Sequence, residues 1–171
     1  MPTTVTAPKN SATKTSSASP APAAARGALQ VQPYLFFEGR CDEALEFYRR
    51  ALGAEVTMLM RFKDAPPSPD SAGCAPMPPG SENKVMHASF RIGATELFAS
   101  DGCSENPANF HGISLSLTVP NEAEAERFFA ALSDGGQVQM PLAKTFFSER
   151  FGMVADKFGV SWMVHVLPKS R

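Results

Sequence analysis

The chain reads as an α+β protein built from tandem βαβββ modules, and three observations lead there. Glu43-Ala44-Leu45-Glu46-Phe47-Tyr48 and Glu124-Ala125-Glu126-Arg127-Phe128-Phe129 repeat one short text about eighty residues apart. Each copy ends in a glycine stop, Gly53 or Gly135-Gly136, and runs into a strand-like segment. Each is also preceded by a strand-like apolar stretch. A duplicated unit buries its apolar face against its twin, so the duplication constrains the architecture more than any single residue does.

Taken in order, Val31 to Phe37 is aromatic and β-prone, and Pro33 assigns it to an edge or a strand start. Glu38-Gly39-Arg40 turns the chain into a helix with Asp42 in its first turn. Ala44, Leu45, Phe47, Tyr48, Ala51 and Leu52 recur at helical spacing, and Gly53 ends the helix. Ala54 to Phe62 predicts a strand. Asp64 to Gly80 holds six prolines and reads as a long loop, a mobile cover in function. Lys84 to Ile92 alternates, with Met86, Ala88, Phe90 and Ile92 opposite Val85, His87, Ser89 and Arg91. After the turn at Gly93-Ala94, Glu96 to Ser100 returns as a strand.

The second module repeats this order. Gly112 to Val119 alternates Ile113, Leu115, Leu117 and Val119 with Ser114, Ser116 and Thr118. Pro120-Asn121 opens a helix whose stripe is Phe128, Phe129 and Leu132. Val138 to Met140 is predicted as a short strand and Pro141 to Ser148 as a loop. Glu149 to Ala155 and Val160 to Val166 then pair through a turn at Lys157-Phe158-Gly159. A single domain over 29–168 follows, with modules at 31–101 and 112–167.

Residues 1–28 are rich in Thr, Ser, Ala and Pro and offer too little apolar surface to offset an ordering cost of roughly 1–2 kcal/mol per residue. They read as a disordered tail. No stretch of about 20 apolar residues is present to span a membrane. The formal net charge is −1 with scattered basic residues, which gives no nucleic-acid footprint. Cys41, Cys74 and Cys103 are odd in number and lack metal-type spacing, as expected of reduced thiols in a cytoplasmic protein.

Three stretches carry a resemblance: PYLFFEGRCDEALEFYRRALGAEV, KVMHASFRIGATELFASD and DKFGVSWMVHV. They resemble the PhnB-like branch of the vicinal oxygen chelate superfamily, which includes glyoxalase I, extradiol dioxygenases and the fosfomycin and bleomycin resistance proteins. That branch is historically labelled a 3-demethylubiquinone 3-methyltransferase domain. The resemblance implies two half-barrels framing one cavity, and a homodimer. In chelating members it implies a divalent metal held by the first and last strands of each half. Those positions fall on Pro33 and Leu97 in the first half and on Ser114 and Met163 in the second. A one-residue shift gives Gln32, Glu96, Ile113 and Trp162. Neither set suits a hard or borderline divalent ion, so a metal-free site is expected.

The leading expectation is therefore a small-molecule-binding protein with no cofactor. Its cavity lining would be His87, Ser89 and Arg91 from one half, with Ser114, Ser116, Met163 and His165 from the other; Arg91 would meet an anionic group. One alternative is a metal-dependent lyase or dioxygenase-type enzyme with a relocated divalent site from His87, His165 and Glu96. Another is an antibiotic-sequestering dimer of bleomycin-resistance type. Catalytic residues are not identifiable: nucleophile-elbow and P-loop texts are absent, and Cys41 at a helix start reads as a small packing residue. Nothing in the chain supports methyl transfer, since it lacks the glycine-rich strand-to-helix turn of a methyl-donor fold.

Overall fold

A computed structural model describes residues 29–65, 80–102 and 106–167, and the compact unit begins at Gln32. The N-terminal 28 residues and most of the Pro-rich loop lie outside the described residues, as do Cys74 and Cys103. Two modules follow one another: β1 (Tyr34–Phe36), α1 (Cys41–Leu52), β2 (Glu55–Arg61), β3 (Val85–Ile92) and β4 (Thr95–Ser100), then β5 (Leu115–Val119), α2 (Glu122–Ser133), β6 (Gln137–Ala143), β7 (Arg150–Ala155) and β8 (Ser161–Val166). A short 3-10 turn at Phe62–Asp64 follows β2. The sheets have matching orders, β1-β4-β3-β2 and β5-β8-β7-β6, each mixing one parallel pair with antiparallel pairs. The α+β architecture of tandem βαβββ modules is confirmed.

Strand alternation divides each sheet into two faces. Leu35 and Phe37, then Trp162, Val164 and Val166, are buried beneath the helices. Tyr34 and Phe36 point the other way and are exposed; Ser161, Met163 and His165 do the same and are half-buried. Each sheet thus has a helix-covered face and an open face. The helix-covered faces share one core, in which Tyr48 stacks on Phe90 and meets Trp162 edge-on.

Local chemistry accounts for the helices. Asn121 caps α2 by accepting the Glu124 amide, a residue type suited to that role. At α1 the N-cap position is Arg40, which makes no side-chain cap. Asp101, from the end of β4, reaches in and accepts the amides of Gly39 and Cys41 through one oxygen and that of Val85 through the other. This buried carboxylate fastens the start of α1 to the sheet.

One element departs from expectation. The sixth strand runs Gln137–Ala143, through Pro141, where a loop was predicted. It is the outermost strand and its pairing shifts register between Met140 and Ala143, so Pro141 breaks no regular ladder.

Candidate functional site

An open cleft of about 910 Å³ lies on the open face of the second sheet. Its floor is Ser114, Ser161, Met163, Met153 and Ala155, with Gln137 and Gln139 from β6 at one side. The inter-module segment Pro107–Ile113 forms a wall. A smaller recess of about 350 Å³ on the far side of that wall is lined by Tyr34, Phe36 and Glu38. Phe110 anchors the wall against Phe37, with ring centroids 5.7 Å apart.

A hydrogen-bond chain crosses the cleft. Ser114 Oγ donates to Ser161 Oγ at 2.8 Å, and Ser161 Oγ donates to Gln139 Oε1 at 3.1 Å. Ser116 and Thr118 lie farther along β5, and their hydroxyls meet His165 Nε2 at 3.1 and 2.9 Å. Of the expected lining, Ser114 and Met163 border the cleft, while Ser116 and His165 share its sheet face outside it.

His87, Ser89 and Arg91 lie elsewhere, on the open face of the first sheet. His87 is bracketed by Tyr34 Oη at 3.0 Å and Ser89 Oγ at 3.4 Å, among the rings of Tyr34 and Phe98. Arg91 is engaged in a 2.9 Å ion pair with Glu55 on the neighbouring strand, so it is not a free anion receptor. The expected seven-residue lining is therefore split between two sheets. Strand alternation carried no information about which open face the linker would wall.

The positions matched to metal ligands need a correction. Leu97 is buried in the helix-covered core, and Pro33 shares the face of Leu35. Register shows why: Tyr34 pairs with Phe98, which places Gln32 opposite Glu96, and Ser116 pairs with Met163, which places Ser114 opposite Ser161. Counting back from the helices misaligned the modules by one residue. Two residues, Glu38 and Gly39, separate Phe37 from the N-cap of α1, both with positive φ, whereas Pro120 alone separates Val119 from Asn121. One residue of slip turns a strand side chain to the opposite face.

By this register the open-face counterparts of Ser114 and Met163 in the first module are Gln32 and Phe98. Gln32 Nε2 donates across the strands to Glu96 Oε2 at 2.6 Å, and Ser114 Oγ donates to Ser161 Oγ. The four counterpart side chains, with Glu96 and Ser161 beside them, offer one carboxylate and no imidazole, unlike a zinc-type donor set. Nor are His87, His165 and Glu96 brought together; no group of three or more His, Cys, Asp or Glu suited to a metal occurs among the described residues.

The DKFGVSW block is structural. Asp156 accepts Tyr48 Oη at 2.7 Å, Trp162 Nε1 at 2.9 Å, and the amides of Phe158 and Val160. Burial raises its carboxyl above the ordinary aspartate value against these bonds. Cys41 is fully buried, and burial, with Asp101 and Asp42 nearby, pushes its thiol pKa up. It is therefore not an activated helix-start thiolate.

A sequence model of the 3-demethylubiquinone-9 3-methyltransferase family matches residues 29–165. The chain belongs to that family. YjdN of Escherichia coli K12 is 35% identical over 141 residues, covering 81% of this chain and 96% of the relative. PA1353 of Pseudomonas aeruginosa is 41% identical with a TM-score of 0.69, covering 83% of this chain and all of that one. The PhnB protein of Bacillus cereus is 28% identical with a TM-score of 0.65, covering 81% and 99%. FosX, a fosfomycin resistance protein of Listeria monocytogenes, shares only 10% identity at a TM-score of 0.55, a likeness of fold. This member of the 3-demethylubiquinone-9 3-methyltransferase family thus shares its glyoxalase-like fold with FosX. A FosX variant has been solved with Mn(II) and a dihydroxypropylphosphonic acid.

Proposed function

We propose that this protein binds a small organic molecule without a metal ion. The observation that carries this is the cleft on the second sheet. It is of ligand size and mixes apolar walls with a few convergent hydroxyl and amide groups, the usual make-up of a small-molecule site. The side chains at Gln32, Phe98, Ser114 and Met163, which bring no imidazole or carboxylate, support a metal-free site. Methyl transfer is not assigned, because each sheet is a mixed four-stranded one with no doubly wound parallel arrangement.

Two tests bear on this reading. In a thermal-shift screen of neutral and charged metabolite-sized compounds, some should stabilise the full chain and fail to stabilise Met153→Trp, whose indole fills the cleft. A screen with no such compound overturns ligand binding. After incubation with Mn²⁺, Ni²⁺ and Zn²⁺ and gel filtration, elemental analysis should find far less than one metal per chain; a near-stoichiometric ion overturns the metal-free reading.

We infer further that the protein acts as a homodimer. The outer strands leave Val56, Met58 and Leu59 on β2, and Val138 and Met140 on β6, exposed. Apolar edge strands of this kind call for a covering partner. No helix among the described residues is long and apolar enough to cross a membrane. The free, buried Cys41 supports a cytoplasmic location.

A further inference from the structure

We propose that the molecule held in this cleft is uncharged and is recognised through a carboxamide-type group, an N–H donor beside a C=O acceptor. The proposal rests on the ligand-binding reading above and specifies the chemistry of that site.

The first support is what the lining lacks. Among the described residues bordering the cleft there is no Asp, Glu, Lys or Arg, and His111 is the one titratable side chain. A carboxylate or ammonium entering it leaves water without meeting an opposite charge, which is costly. Arg91, the cation expected at sequence level, is on the other sheet and paired to Glu55.

The second support is the direction of the hydrogen-bond chain. Each serine has one hydroxyl proton. Ser114 spends its proton on Ser161, and Ser161 spends its own on Gln139 Oε1. Ser114 Oγ therefore keeps lone pairs but no donor. Gln139 has one lone pair of its oxygen engaged and keeps its two Nε2 hydrogens as donors. One end of the chain accepts and the other donates. A carboxamide, lactam or ureide satisfies both ends with one group. A carboxylate offers no proton to Ser114, and an ammonium offers no acceptor to Gln139. Gln137 adds a second amide at the same edge, while Met153 and Met163 present polarisable thioether surface to an apolar or aromatic body.

The test uses the full chain labelled with ¹³C at the methionine methyls. Three probes share one phenylalanine skeleton: N-acetyl-L-phenylalaninamide is neutral, N-acetyl-L-phenylalanine is an anion at pH 7.5, and L-phenylalaninamide is a cation at pH 6.0. The neutral probe should shift the Met153 and Met163 methyl signals and bind about tenfold or more tightly than either ion. Ser114→Ala and Gln139→Leu should each weaken it about fivefold. Gln139→Glu replaces the donor with a negative acceptor and should reverse the preference towards the cation. If an ion matches the neutral probe at these methyls, the recognition chemistry is overturned while ligand binding stands. It is equally overturned if no probe moves them yet a compound from the thermal-shift screen does. If no compound of any charge reaches the cleft, both readings fall.

Discussion

Tyr48 of the first helix donates a 2.7 Å hydrogen bond to Asp156, which lies 108 residues later in the turn before the last strand. The two buried groups tie the modules together at the centre of the aromatic core, where Tyr48 also meets Trp162. Asp156 completes the clamp by accepting the Trp162 indole and two amides of its own turn. Tyr48→Phe should lower unfolding free energy by about 1–3 kcal/mol, since it leaves a buried oxygen short of a partner. Asp156→Ala removes the acceptor for four donors and should cost more, about 3–5 kcal/mol. Urea unfolding followed by Trp162 fluorescence measures both; equal stability of Tyr48→Phe and the parent would refute the clamp.

Packing beneath the second helix gives a second prediction. A Cβ at Gly152 would stand 2.7 Å from Phe129 Cε2 and 3.0 Å from Leu142 Cα. Gly152→Ala should destabilise by about 1–3 kcal/mol through overpacking. A thermal midpoint unchanged from the parent is the outcome that contradicts this contact.

Two carboxylates titrate with opposite sign. Glu43 is lowered to about 2 by its bonds from Arg40 and then from Lys157. Its contribution is therefore present above the ordinary glutamate range and is lost as pH falls towards 2. Because the pair is largely exposed, that contribution is well under about 1 kcal/mol. A Glu43→Gln/Lys157→Met double-mutant cycle should show coupling at pH 7 that declines as pH falls through about 2; coupling as large there as at pH 7 contradicts it. Asp156 is raised chiefly by burial. Its titration favours the fold at low pH, and that advantage is lost as pH rises through its folded value. Asp156→Asn should lack this slope when its stability is compared with the parent between pH 3 and 7.

The exposed outer strands give an assembly prediction. Light scattering should report twice the chain mass for the parent. Leu59→Lys combined with Met140→Lys should shift it to the monomer while the circular dichroism spectrum is preserved. A monomeric parent rules out the dimer.

Much of this fold was legible in the chain. The repeated helix text and the two glycine stops located α1 and α2, because an amphipathic stripe and an αL-type terminator are local signals. Alternation in Val85–Ile92 and Ser161–Val166 located strands and their two faces for the same reason. Ser161 could have been found too, two residues before Met163 on the same face. Gln137 and Gln139 carried only the weak alternation of an edge strand. Pro107 to Ile113 carried no pattern that marks a wall. Pro141 misled because a proline is damaging inside a sheet yet harmless in an irregular outer strand.

By itself, then, the sequence determined a duplicated module, the order of its elements and the apolar stripe each helix must bury. These follow from periodicities of 3.6 and 2 that neighbouring residues set between themselves. Tertiary structure alone decided which polar residues share a site. One extra residue between Phe37 and Arg40 moved the correspondence from Pro33 to Gln32, because alternation in a strand turns every one-residue offset into a change of face. It also placed the linker against Ser114 and Ser161 and left His87 on the other sheet. That choice depends on contacts between segments far apart in the chain, which no local pattern encodes.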